Sequence, residues 1–193
     1  NKTLSYGLFI TRAGLAVEKG RLEHAIQYLS VAEKTQKYIH LTKLKNGEAF
    51  LISPLAIWRR ALLKMFLVQT KAGHKERKIL LKQAYEDLNI VIDRIHSYPS
   101  NSRARGYLAS AYRQAGKPKH ALTELDCALY LIDEYFNIII KSYYGISNGD
   151  KGDVSNIVKM QRQKFLPLVQ TLYLERAACF IALNAFGDAN EDL

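Results

Sequence analysis

Arginine and lysine are crowded into two stretches of this chain. Residues 54–83 carry eight of them (Arg59, Arg60, Lys64, Lys71, Lys75, Arg77, Lys78, Lys82) against one acid, Glu76. Residues 99–119 carry five (Arg103, Arg105, Arg113, Lys117, Lys119) and no acid. Residues 120–140 reverse the balance, with Glu124, Asp126, Asp133 and Glu134 and no Lys or Arg. A guanidinium is a planar fork that pairs bidentately with carboxylate or phosphate. Arg59, Arg60, Arg103 and Arg113, with Leu63 and Phe66 as apolar neighbours, are candidates to bind an acidic ligand. A solvated charged face has the same composition, and exposed charge alone stabilises little.

The other reactive side chains do not assemble into a site. His24, His40, His74, His96 and His120 are scattered, with no second His or Cys at helical i, i+4 spacing, so no metal is expected. Residues 145–153 read GISNGDKGD, with three glycines but without the Gly-Lys-Ser/Thr ending of a phosphate loop. No Gly-x-Ser-x-Gly elbow occurs. Glu86–Asp87 and Asp133–Glu134 are neighbours in sequence, and on a helix their side chains diverge by about 100°. They cannot act together as acid and base. The expectation is a protein without catalytic residues, metal or cofactor, and not an enzyme. Of the twelve tyrosines, Tyr107, Tyr112 and Tyr173 are expected in helix packing. Tyr143 and Tyr144 are expected to be exposed in a loop.

Composition sets the outer bounds. The chain has 193 residues, enough for one domain with a substantial core, and a formal charge of +10. That excess fits acidic partners, an acidic protein segment or a nucleic acid. No run of about 18 apolar residues occurs, so no membrane insertion is expected. Cys127 and Cys179 fall in helical stretches and are expected as small buried hydrophobes. That suits an intracellular, reducing compartment, whether cytoplasm or organelle matrix. The sequence begins at Asn1 with no visible signal peptide.

The elements that must carry these residues repeat. Residues 9–32 read FITRAGLAVEKGRLEHAIQYLSVA, residues 105–128 read RGYLASAYRQAGKPKHALTELDCA, and residues 173–193 read YLERAACFIALNAFGDANEDL. Each opens on a helix and turns at Gly20, Gly116 or Asn184, residue types that accept the left-handed conformation ending a helix. Five positions on stands Ala25, Ala121 or Ala189, and four beyond that Leu29, Leu125 or Leu193. Ala32 and Ala128 follow in the first two. Ala13, Ala109 and Ala177 supply a matching small residue on the first helix. The alanines allow close helix approach, and the leucines fill the interface.

This frame resembles the tetratricopeptide repeat family, and a more degenerate unit fits between, with helices at 55–73 and 78–96 and Ala84, Leu88 and Val91 in its core. The resemblance implies an all-α, right-handed solenoid of antiparallel helix pairs, at approximately 4–41, 54–97, 102–141 and 156–193, in a single domain over 1–193. Two long loops are expected. One is 42–53, ending in Ser53-Pro54, an N-cap followed by proline in the first turn. The other is 143–155. Pro167 is expected to break 156–165 from the helix after it. The last pair is incomplete at Leu193, and the native chain is expected to continue.

In the resembled family, first helices line a concave face, which here would be basic. The resemblance implies a scaffold or adaptor in a larger assembly, binding other proteins, an acidic peptide or segment among the candidates. The alternative is an RNA-associated protein of a ribonucleoprotein such as an organellar ribosome. Some family members hold a chaperone's C-terminal carboxylate with a Lys/Asn/Arg clamp. Here Glu175-Arg176, Tyr107-Leu108 and Thr11-Arg12 stand at the Asn-Arg place, so the resemblance does not extend to that clamp.

Overall fold

In the computed structural model, the backbone is described for residues 2–45, 53–70, 73–146 and 151–193, and the side chains for these residues other than 2–4, 42–44, 143–146 and 151–154. The described residues form eight helices and no strand. They are α1 (Lys2–Glu18), α2 (Leu22–Lys45), α3 (Leu55–Thr70), α4 (His74–Arg94), α5 (Tyr98–Gln114), α6 (Pro118–Ile146), α7 (Lys151–Ala182) and α8 (Phe186–Asp192). They group into two compact units, Asn1–Arg94 and Ile95–Leu193.

Three helix ends are built alike. Gly20, Gly116 and Asn184 have φ of +67°, +73° and +59°. At each, the turn residue donates to the carbonyl three back: Gly20 to Val17, Gly116 to Arg113, Asn184 to Ile181. The next residue donates to the carbonyl five back: Arg21 to Ala16, Lys117 to Tyr112, Ala185 to Phe180. This pair of bonds is the Schellman motif, which satisfies carbonyls a helix end would otherwise leave open. The turn lets α2, α6 and α8 pack back on α1, α5 and α7.

In the first unit, Ala13, Ala16, Ala25, Leu29, Ala32 and Ala56 form one core, with Tyr6, Phe9 and Tyr28 against it. Ala61, Met65 and Val68 of α3 and Ala84, Leu88 and Val91 of α4 are buried as well. In the second, Ala109, Ala121, Leu125, Ala128, Leu172 and Cys179 form a core. Ile132, Phe136 and Phe165 continue it between α6 and α7. Gly106 marks the closest approach: a Cβ there would lie 2.8 Å from Leu172 Cδ2.

Several expectations are corrected. The two loops are shorter than 42–53 and 143–155. Residues 42–45 finish α2, 143–146 finish α6, and 151–155 begin α7, while 46–52 and 147–150 lie outside the described residues. No cluster of helix-breaking residues falls within 42–45 or 143–146. A lone Gly145 costs about 0.5–1 kcal/mol, too little to stop α6. Tyr143 and Tyr144 are thus helical, and their side chains lie outside the described residues.

Pro167 does not divide α7, which is continuous through it. Its ring faces solvent. The one N–H it removes leaves a carbonyl that water can reach, and Thr171 Oγ1 donates to the Pro167 carbonyl at 2.7 Å.

Cys179 is buried, but Cys127 is exposed. The buried stripe of α6 is Ala121, Leu125, Ala128 and Ile132, and Cys127 sits about 200° from Leu125 on the helix wheel. Tyr107 and Tyr173 are each 37% exposed; only Tyr112 packs against the core. At the start of α3, the Leu55 N–H donates to Ser53 Oγ at 3.3 Å, with Pro54 between.

Candidate functional site

The candidate arginines separate into two kinds. Arg60 is interior. Its Nη2 donates to Asp87 Oδ1 at 2.6 Å and its Nε to Asp87 Oδ2 at 2.9 Å, a bidentate pair between α3 and α4. Its Nη1 reaches Glu33 Oε2 of α2 at 2.8 Å and Ser30 Oγ at 3.2 Å. Lys64, one turn on, donates to Asp87 Oδ2 at 2.8 Å. Glu33, Lys64 and Asp87 are all buried. Beside them Gln36 is buried, its amide oriented to donate to the Ser53 carbonyl and accept from the Ser53 N–H.

Two cations and two anions thus tie α2, α3 and α4 together. Burial opposes the charge on Arg60, but the Asp87 hydrogen bonds and the charges of Asp87 and Glu33 outweigh it, and the guanidinium pKa is raised. Burial likewise pushes the Glu33 carboxyl up. The hydrogen bond from Lys37 and the charges of Arg60 and Lys37 push harder the other way, so it ends below its ordinary value.

Arg113 is also engaged. Its Nε donates to Glu175 Oε2 of α7 at 2.8 Å, and this bond, against burial, raises its pKa. Ser110 donates to the same carboxylate at 3.3 Å. Two arginines outside the candidate set behave in the same way. Arg105 pairs with Glu124 of α6. Arg176 forks onto Asp192 of α8 and reaches Asp126 of α6 at 3.1 Å. Much of the charge segregation along the sequence is therefore spent on pairs between neighbouring helices. Asp87, Glu33 and Glu175 are the partners that sequence reasoning did not assign. None of the three lies in the acid-rich stretch 120–140, so charge composition gave no signal for them.

Arg59 and Arg103 are of the other kind. Both are exposed, and neither has a carboxylate partner among the described residues. Each lines a groove within its own unit. In the first unit, Gly14, Val17 and Glu18 of α1 face Arg59, Leu62 and Leu63 of α3 across about 420 Å³. Phe66 is 53% exposed and lies outside that lining. In the second unit, Arg103, Tyr107 and Ser110, on one face of α5, meet Pro167, Thr171 and Glu175 of α7 around about 310 Å³. Both grooves lie between odd-numbered helices. The six candidates are thus not alike: Arg59 with Leu63 and, separately, Arg103 line open grooves, while Arg60 and Arg113 are bound internally.

Buried beside Arg113 and Glu175, the Cys179 thiol is pushed up to about 11. Burial is the main cause, the Glu175 charge adds to it, and the Arg113 charge opposes it. It is a protonated packing residue at neutral pH. Among the described residues no three His, Cys, Asp or Glu side chains gather as metal ligands. Residues Ser155–Ala182 of α7 contain an 18-residue window of mean hydropathy 1.2, long and apolar enough to cross a membrane by length and composition. One face of that segment, through Phe165, Leu172 and Cys179, is buried in the second unit's cores.

No family model matches this chain, and neither do any curated protein or solved structure.

Proposed function

We propose that the chain is a non-catalytic scaffold, a right-handed solenoid of antiparallel helix pairs of the tetratricopeptide kind, whose odd-numbered helices hold segments of partner proteins. The observation that carries this reading is the pair of open grooves between successive odd helices. Each combines an arginine that has no carboxylate partner among the described residues with an apolar or aromatic wall. The repeated Schellman turns and buried alanines give the reading its frame, since they would set first helices side by side. The functional step from that fold rests on analogy.

An acidic segment with apolar side chains suits both grooves: Arg59 or Arg103 takes a carboxylate in its fork, and Leu63 or Tyr107 takes the apolar neighbour. The test is recovery of partners from the native source by the parent chain and by Arg59→Glu/Arg103→Glu, with protein and nucleic acid both identified. A protein partner held by the parent and lost by the folded double variant supports the reading. An unchanged partner set makes the two arginines solvated charge and sinks it. A nucleic acid partner whose affinity falls with salt at a log–log slope of about −0.7 per phosphate would instead favour the RNA-associated alternative.

A further inference from the structure

The distal halves of α6 and α7 carry a groove that the odd-helix reading does not use. Beyond Phe136 and Phe165, which meet edge to face at 6.2 Å, Ile140 of α6 faces Ser155, Val158, Lys159, Arg162, Gln163 and Leu166 of α7 across about 500 Å³. The α7 positions recur at i, i+3/i+4, i+7/i+8 and i+11, so they form one continuous stripe about 16 Å long. Its floor is aliphatic, from Ile140, Val158 and Leu166, and Leu166 is half exposed. Its cations are Lys159 and Arg162.

Neither cation has a carboxylate partner among the described residues, whereas Arg60, Arg105, Arg113 and Arg176 each have at least one. The Arg162 guanidinium lies 5.9 Å from the centre of the Phe136 ring. A cation held on an aromatic face loses less freedom when it binds.

We propose that this groove seats an acidic amphipathic helix of a partner protein. The floor takes the partner's apolar stripe, and Lys159 and Arg162 take carboxylates one turn apart on its flank. A groove lined mainly by one helix face and closed on its other side by Ile140 offers the kind of apolar seat that helix-in-groove docking uses. Charge complementarity selects an acidic partner over a basic one. The aliphatic floor selects an amphipathic helix over a phosphate backbone, which would engage the cations and have no use for Ile140 or Val158.

The probe is a fluorescein-labelled Leu/Glu peptide of about 14 residues, four helical turns with one apolar stripe, titrated by fluorescence anisotropy against the whole chain. Controls are the same composition scrambled to remove the stripe, the Leu/Lys counterpart and a labelled oligothymidine. Saturable binding of the striped acidic peptide, with the scrambled and basic peptides at least about tenfold weaker, is the expected result. Lys159→Glu/Arg162→Glu, and separately Leu166→Asp, should each weaken it about tenfold or more with circular dichroism unchanged. Arg59→Glu/Arg103→Glu should leave it intact, which separates this groove from those between odd helices. Equal binding of the scrambled peptide, tighter binding of oligothymidine, or indifference to both variants at this groove would each overturn the proposal.

Discussion

Removing the carboxylate of Asp87 tests whether the charged cluster of the first unit is a dry structural element. Asp87 accepts two hydrogen bonds from Arg60 and one from Lys64. In Asp87→Ala, Arg60 keeps Glu33, but Lys64, whose side chain is 8% exposed, loses its carboxylate. Removing one partner of a buried pair costs about 3–5 kcal/mol, mostly because the remaining charge is left without compensation. A chain of this size loses about 2–4 °C of melting midpoint per kcal/mol, so a fall of about 6–20 °C is expected. Trp58, the single tryptophan of the chain, lies on α3 two positions from Arg60, so its fluorescence reads this unit. Adding Lys64→Met should recover about 1–3 kcal/mol, because the stranded cation goes with it. A loss under about 1 kcal/mol, or no recovery in the double variant, would mean that the cluster behaves like a hydrated surface pair and would refute the argument.

Gly116→Ala places a Cβ at φ +73°, and the left-handed region should cost it about 1–2 kcal/mol in urea denaturation; an unchanged midpoint would mean the turn relaxes freely. The lowered Glu33 pKa predicts acid sensitivity in the first unit. The stabilisation from its carboxylate is present above the ordinary value of 4.5 and is lost as pH falls through the lower folded value. The Trp58-detected midpoint should drop below pH 4.5, and Glu33→Gln should flatten that part of the profile; parallel profiles for parent and variant would exclude Glu33 as the cause.

The parts of the fold that could be read from sequence are those fixed by local chemistry. Gly20, Gly116 and Asn184 take the left-handed turn because few other residue types accept it, and each forms the same pair of bonds. The alanines at the helix crossings are buried because only a small side chain fits there. Helix ends were harder to read. Gly145 and Pro167 look like breakers, but a single unfavourable residue is outweighed when the rest of the helix is packed. For α7 that packing runs through Phe165, Leu172 and Cys179. Such stabilisation comes from residues distant in sequence, and local propensity does not record it.

The arginines show why composition pointed to the groove region without identifying its residues. Basic stretches on one helix fit two arrangements, a free cationic face or cations bridged to single acids on the neighbouring helices. Position on the helix decides between them. Arg59 and Arg60 are adjacent and so point about 100° apart. That angle sends Arg60 in toward Asp87 and Glu33 and leaves Arg59 on the rim of the α1–α3 groove. On α5, Arg103 and Arg113 are ten positions apart, about 2.8 turns, so they point about 80° apart and stand at different heights. Arg113 meets Glu175, because α7 carries an acid at that level. Arg103 sits beside Pro167 and Thr171, which offer it no charge. An arginine is left for a partner where register brings no carboxylate of a packed helix within pairing distance, and among the described residues this holds for Lys159 and Arg162 on α7 as it does for Arg59 and Arg103.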